Sequence, residues 1–214
     1  MIKLLFTLFF SLPVSLLFAQ QSDPEALKVL DKAASQYNKA KGVYIAFELT
    51  TENKRTKAVQ QVNGTIQMKG IKSYLKTDEA EVWYDGKNQW SYYHESSEVN
   101  LSNPGPTEME VYNPAILFRN YKKSFVVTYV GQKNYGGVPY EVVELRPVEG
   151  NNNLIKITCR FTLAGELNSV LVQNRNLTEA RLFITTYQTG KTYDDSLFVF
   201  PATTYPDVEV IDLR

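Results

Sequence analysis

The chain has 214 residues but only one cysteine and one histidine. A single cysteine, Cys159, excludes an intramolecular disulfide whatever the redox compartment. One His and one Cys do not make a His- or Cys-rich zinc site. They also leave His94 as the sole imidazole for any Ser-His-Asp or Cys-His arrangement. Acidic and basic side chains balance at 23 each, so there is no basic field of the kind a nucleic-acid binder uses against phosphates. Gly136-Gly137 is not followed by Lys-Ser or Lys-Thr, which excludes a phosphate-cradling loop of the usual form. Past the N-terminal segment there is no long apolar run. No cofactor is expected.

The first residues form one such run. Lys3 supplies a positive start, Leu4 to Phe18 is apolar and Ala19 is small, which is the pattern of a cleaved secretory signal peptide over residues 1–19. The apolar stretch is shorter than the roughly 20 residues that span a bilayer as a helix. No cysteine follows it to carry a lipid, so the remainder, residues 20–214, is expected to be soluble; it is also expected to be a single domain, monomeric and periplasmic.

The mature chain opens with helix signals. Ser22 and Asp23 are N-cap candidates, Pro24 suits a first turn and Glu25 completes a capping box. Leu27, Leu30, Ala34 and Tyr37 recur at helical spacing. Lys39 and Lys41 suit the last turn, and Gly42 is a candidate left-handed cap.

Strands follow. Val43, Ile45, Phe47 and Leu49 alternate with polar or small residues, and so do Val62, Ile66 and Met68. Further strands are expected at Lys72–Thr77, Glu81–Tyr84, Gln89–His94 and Glu98–Leu101, with Asp85-Gly86 as a hairpin turn. A second series runs Phe125–Val130, Tyr140–Arg146, Ile155–Thr162, Leu167–Gln173 and Ala180–Tyr187. Between the series, residues 103–120 read as a Pro-containing loop leading into short helices with apolar Val111, Ile116, Leu117 and Phe118. Short strands at regular spacing predict an antiparallel meander rather than βαβ units. An aromatic content of 13% agrees. So many one-faced strands should curl into a half-barrel, which two or three helices would fill only in part. The expected fold is therefore mainly β: a curved, open antiparallel half-barrel with a few helices as a lid over an apolar cavity.

Chemistry-bearing groups are sparse. Cys159, flanked by Ile157 and Phe161 on its strand face, reads as a small buried hydrophobe. His94 lies in a strand with Trp90 and Tyr92, a setting of packing or surface rather than catalysis. The acid pairs Asp78-Glu79 and Asp194-Asp195 read as solvated turns, and Lys54, Arg55 and Lys57 as an exposed hairpin tip. No catalytic and no metal-binding residue is assigned.

Several segments together resemble the LolA-type outer-membrane lipoprotein carriers. Tyr84-Asp85-Gly86-Lys87-Asn88-Gln89-Trp90-Ser91-Tyr92-Tyr93 is similar to that family's D-G-K-x-x-W-x-Y segment. Asn113-Pro114-Ala115-Ile116-Leu117-Phe118-Arg119-Asn120 resembles its central helix entry, and Val143-Glu144-Leu145-Arg146-Pro147 a strand ending. Phe198-Val199-Phe200-Pro201 with Val208-Glu209-Val210-Ile211-Asp212 resembles its terminal pattern. The resemblance implies a non-enzymatic carrier of acylated lipoproteins, with an inner-membrane ABC transporter as donor and an outer-membrane acceptor. The apolar residues expected to line the cavity and hold acyl chains are Leu27, Leu30, Val43, Ile45, Phe47, Leu49, Ile66, Met68, Val82, Tyr84, Trp90, Tyr92, Ile116, Leu117 and Phe118. Many members of the family carry an arginine after the strand matching Gly64–Lys69 that pins the lid helices. Here Lys69-Gly70-Ile71-Lys72 stands in that place, and Lys72 is a partial substitute, since an ammonium lacks the planar fork of a guanidinium. Open alternatives are a lipid binder outside lipoprotein sorting and a lipoprotein sensor of the same fold.

Overall fold

The computed structural model describes residues 21–96, 98–104, 114–148 and 153–214, with backbone alone for residues 114–116. The segment 1–19 read as a signal peptide, Val111 and most of the polar stretch 149–153 lie outside the described residues. Helix α1 (Pro24–Lys39) precedes strands β1 (Val43–Asn53), β2 (Val59–Lys69), β3 (Lys72–Thr77), β4 (Ala80–Tyr84), β5 (Gln89–Tyr93) and β6 (Glu98–Ser102). Helix α2 (Pro114–Ser124) leads into β7 (Phe125–Tyr135), β8 (Val138–Pro147), β9 (Leu154–Thr162), β10 (Leu167–Asn174) and β11 (Thr178–Thr189). A strap then carries a 3-10 turn (Asp195–Phe198) and β12 (Glu209–Asp212).

All twelve strands join one sheet in the order β12-β6-β5-β4-β3-β2-β1-β11-β10-β9-β8-β7. Each pairing is antiparallel except β12 against β6. The sheet curves but stays open, ending at β7 and β12. Bulges at Ala46/Phe47 and Tyr129/Gly131 add local twist. The β7–β8 hairpin turns on Gly136 and Gly137 at φ 58° and 81°, the doubly positive geometry that tight hairpins need.

The sheet has two apolar faces, and they occupy different halves. Cross-strand partners share a face. The rows Val62–Leu49–Leu182–Val170–Cys159–Val143–Tyr129 and Leu75–Ile66–Ile45–Tyr187 run over one surface, the helix face. Helix α1 lays Ala26, Leu30, Ala33, Ala34 and Tyr37 against it, and α2 adds Leu117, Phe118 and Tyr121. On strands β3 to β6 the outer face is apolar as well. Tyr74, Trp83, Trp90 and Leu101 form a cross-strand row there. Trp83 and Val99 pack with Phe200 of the strap, and Tyr92, Tyr205 and Val208 surround them. The strap was not expected as a structural element, because its single aromatic residues carry no period to read.

Asp23 caps α1 by accepting from Glu25 N–H at 2.9 Å, and Ser22 contributes elsewhere. Val127 N–H donates to Ser22 Oγ at 3.2 Å and Asp23 N–H to Val127 O at 2.8 Å, so the chain before α1 covers part of the β7 edge. The left-handed cap expected at Gly42 is not formed. The helix ends at Ala40 in extended conformation, and Gly42 is absent from the positive-φ residues. Its role is close approach: a Cβ there would lie 2.6 Å from Lys191 O and 2.8 Å from the Tyr193 ring.

Phe161 is fully buried where α2 meets β9, with its ring 6.2 Å from that of Phe118. Phe161→Ala should lower unfolding free energy by about 3–5 kcal/mol in urea titration. A loss below about 1 kcal/mol would mean that the helix–sheet contact is looser than its burial indicates.

Candidate functional site

The helix face gathers most of the expected acyl-chain residues. Leu30, Val43, Ile45, Phe47, Ile66, Met68, Leu117 and Phe118 join one buried core, each at most 6% exposed. Leu27 and Leu49 pack against it while partly exposed. Val82 also points to this side, between Leu75 and Ser91 in register, and remains partly exposed. Tyr84 is buried against Ile71. Ile116 belongs to α2, but its side chain lies outside the described residues.

Trp90 and Tyr92, expected beside Val82 and Tyr84, lie on the opposite face. Strand side chains alternate, so even-numbered Val82 and Tyr84 of β4 point to the helices. Register then pairs Trp90 with Trp83 and Tyr92 with Glu81, which point outward. Alternation within each strand leaves the relation between the two strands open, and only the pairing register separates these residues.

The second strand series supplies residues that the site expectation omitted. Val170, Ala180, Leu182 and Tyr129 reach the same face and stay partly exposed, as does Leu75 from β3. Their alternation was legible, but which strands lie beside β1 was not. Leu49, Leu75, Val82, Val170 and Leu182 thus form an incompletely covered apolar floor around the sealed core. A ligand can reach these residues without dismantling that core.

The two helices are tied to each other and to the sheet by specific bonds. Tyr121 O–H donates to Asp31 Oδ1 at 2.5 Å, and Lys122 Nζ lies 2.7 Å from the same oxygen. Burial opposes ionisation of Asp31, but the bonds from Lys122 and Tyr121 outweigh it and hold the carboxyl below its ordinary value. Tyr37 O–H donates to Gly70 O at 2.6 Å, fastening α1 to the β2–β3 turn. Burial, with a smaller contribution from Tyr187, pushes the Tyr37 phenol well above its ordinary value. Lys72, the expected stand-in for a lid-pinning arginine, points away from the helices. It pairs at 2.9 Å with Asp195 of the strap, as does Lys69. Asp195, expected to be a solvated turn acid, is thus a double ion-pair acceptor, and the two lysines hold its carboxyl below the ordinary range.

The outer face carries an open cleft of about 650 Å³ between strands β2–β4 and the strap, lined by Gln67, Tyr74, Glu81, Trp83, Tyr193 and Tyr205 among others. Glu81 accepts from Tyr74 O–H at 2.5 Å and Tyr205 O–H at 3.2 Å. Lys76 lies 3.3 Å away and His94 Nε2 3.4 Å away. His94 Nδ1 is 2.7 Å from Asp78 O, which engages the imidazole in turn structure. Cys159 is fully buried, and burial pushes its thiol up to about 12, a value at which the nucleophilic thiolate is scarce at neutral pH. Among the described residues no group of three His, Cys, Asp or Glu is placed to hold a metal ion. None of their helices is long and apolar enough to cross a membrane.

A single curved antiparallel sheet, open at both edges and cradling helices on an apolar face, defines the half-barrel class of binding folds. Within that class, the chain belongs to the family described as outer membrane lipoprotein carrier protein LolA, whose model matches residues 15–145, more than half of the chain. No curated protein matches the sequence. Among solved structures, an uncharacterized conserved protein from Thermus thermophilus shares the fold at TM-score 0.59 and 8% identity, covering 88% of this chain and 99% of its own. A LolA superfamily protein from Nitrosomonas europaea aligns at TM-score 0.46 and 12% identity over 81% of this chain and 97% of its own. Lipoprotein LppX from Mycobacterium tuberculosis aligns at 0.44 and 10% over 81% and 99%.

A carboxyl with a depressed folded-state pKa stabilises the fold above its unfolded pKa, and that contribution disappears as pH falls through the folded value. Asp31→Asn should therefore destabilise the protein at pH 7, with the difference from wild type shrinking below about pH 3. Because Asp31 is half exposed, the difference should be modest. Urea titrations across that range would test it; a difference independent of pH would exclude the charge as the tie between α1 and α2.

Proposed function

We infer that this protein carries the acyl chains of lipoproteins through the periplasm, receiving them from an inner-membrane ABC transporter and surrendering them to an outer-membrane acceptor. The observation that carries this reading is the apolar floor of Leu49, Leu75, Val82, Val170 and Leu182, left partly exposed on the helix face in a chain of this family. Acyl chains need such a surface. Each buried methylene contributes about 0.8 kcal/mol, so a chain covering part of the floor binds well without any directional contact. The same lack of direction tolerates cargo of varied acyl composition. A secretory signal over residues 1–19 would deliver the protein to the compartment where the cargo travels, and cargo carriage needs no catalytic group.

Release is the harder requirement, because a sealed cavity would trap its cargo. The two described helices are held by their buried apolar stripe and by a few polar ties, among them Tyr37 to Gly70 and Tyr121 with Lys122 to Asp31. Loosening those ties would let α1 and α2 shift as a pair and widen access to the partly exposed floor.

The direct test mixes the purified mature protein with an acylated lipoprotein and its unacylated form. A soluble one-to-one complex with the acylated form alone is expected, and equal binding of both forms would overturn the reading. Leu117 is a poor probe position, being 3% exposed, so a charge there would unfold the core. Val82→Glu is partly exposed and should keep the fold while weakening acyl binding at least roughly tenfold, the cost of one charge in an apolar site. Leu213→Glu, on the exposed tail, should leave binding unchanged. Retained affinity in Val82→Glu would move the acyl chains off this part of the sheet.

A further inference from the structure

The β2–β3 turn, Lys69 to Lys72, is held from both sides of the sheet. On the helix side, its Gly70 carbonyl accepts the Tyr37 hydroxyl of α1. On the outer side, Lys69 Nζ reaches Asp195 Oδ1 at 2.9 Å and the Tyr193 carbonyl at 3.0 Å, while Lys72 Nζ reaches Asp195 Oδ2 at 2.9 Å. Gly70 sits at φ 60°, so its carbonyl direction follows from a left-handed turn that its two flanking lysines frame. The strap also bonds to the segment that follows α1. Lys191 N–H donates to Gly42 O at 3.1 Å, just beyond the end of α1. Helix, turn and strap therefore close a small ring of contacts through the edge of the sheet.

We propose that Asp195, on the outer face, is a positioning residue for the lid helix α1 on the inner face, acting through Lys69, Lys72 and the Gly70 carbonyl on Tyr37. Asp195 holds both lysines with its two carboxylate oxygens. With the carboxylate engaged, the turn is fixed and Gly70 O is aimed at α1. With the strap displaced, the lysines lose their shared anchor, the turn relaxes and Tyr37 loses its acceptor geometry. The ion pairs are exposed, so they are weak and salt-screened. A partner that grips the strap could therefore break them at small cost, and the outer face would thereby govern the opening of the inner one. The consequence for cargo rests on the carrier reading above, whereas the coupling itself does not.

Hydrogen exchange of the full-length mature protein separates the two. Asp195→Asn should raise exchange of the α1 amides at residues 33–39 roughly two- to fivefold, the range of an exposed ion pair. Asp195→Glu should restore it, and high salt should reproduce the effect in wild type. Tyr37→Phe should raise the same amides, and the double variant should go no further than the larger single effect, because both remove one linkage. Faster exchange confined to the strap, or multiplying effects of the two substitutions, would overturn the proposal. In parallel, stopped-flow release of a fluorescent anthroyl fatty acid should quicken in Asp195→Asn by the same factor. If the fatty acid does not bind, the carrier reading fails while the exchange result still decides the coupling.

Discussion

Burial of one stripe of α1 against the concave side of the sheet is the contact on which the remaining architecture depends. Ala26, Leu30, Ala33, Ala34 and Tyr37 are spaced to fall on one side of a helix. An open sheet this wide has no opposing sheet to cover its apolar side, and the helices are what it has instead. Three of the five residues in the stripe are alanine, which lets the helix backbone lie close to the sheet, and the larger Leu30 and Tyr37 fill the space between. Among the described residues, two helices do not tile twelve strands. The partly exposed row from Leu49 through Leu182 to Val170 is the geometrical result of that shortfall.

The second constraint is that β3 to β6 are apolar on the side turned from the helices. Tyr74, Trp83, Trp90 and Leu101 would form a large exposed patch if the chain ended at β11. The strap covers them, with Phe200 edge-on to Trp83 at 5.3 Å and Tyr205 against Tyr92 at 5.3 Å. Its last segment, β12, adds the one parallel pairing of the sheet to β6. The strap thus completes both a surface and an edge. Because it also grips the turn that receives Tyr37, the two sides of the sheet are mechanically joined at Lys69 to Lys72.

Polar chemistry in this chain is directed to fastening parts together. Asp31, Glu81 and Asp195 each bind groups from other elements, and in the first two the hydrogen bonds keep the carboxylate ionised against the cost of burial. Weak exposed ties such as Lys72 to Asp195 are readily exchanged, whereas the sealed core around Phe161 and Leu145 is not.

Much of the fold was legible in the sequence because alternation and helical period are local properties. The bounds of β3, Lys72–Thr77, and the start of α1 at Pro24 follow from residues within a few positions of each other. The apolar identity of Val43, Ile45 and Phe47 was equally local, and so was their shared face. Register is not local. Whether Trp90 lies with Val82 or opposite it depends on the Asp85–Asn88 turn and the pairing it imposes, and one step of register reverses the answer. Nor could alternation reveal that β11 lies beside β1, bringing Leu182 next to Leu49, or that Lys72 would meet Asp195 rather than a lid helix. By itself the sequence determined a mainly β chain with an apolar helix to cover it. Tertiary structure alone decided which residues share a surface, because that depends on pairings between segments far apart in the chain.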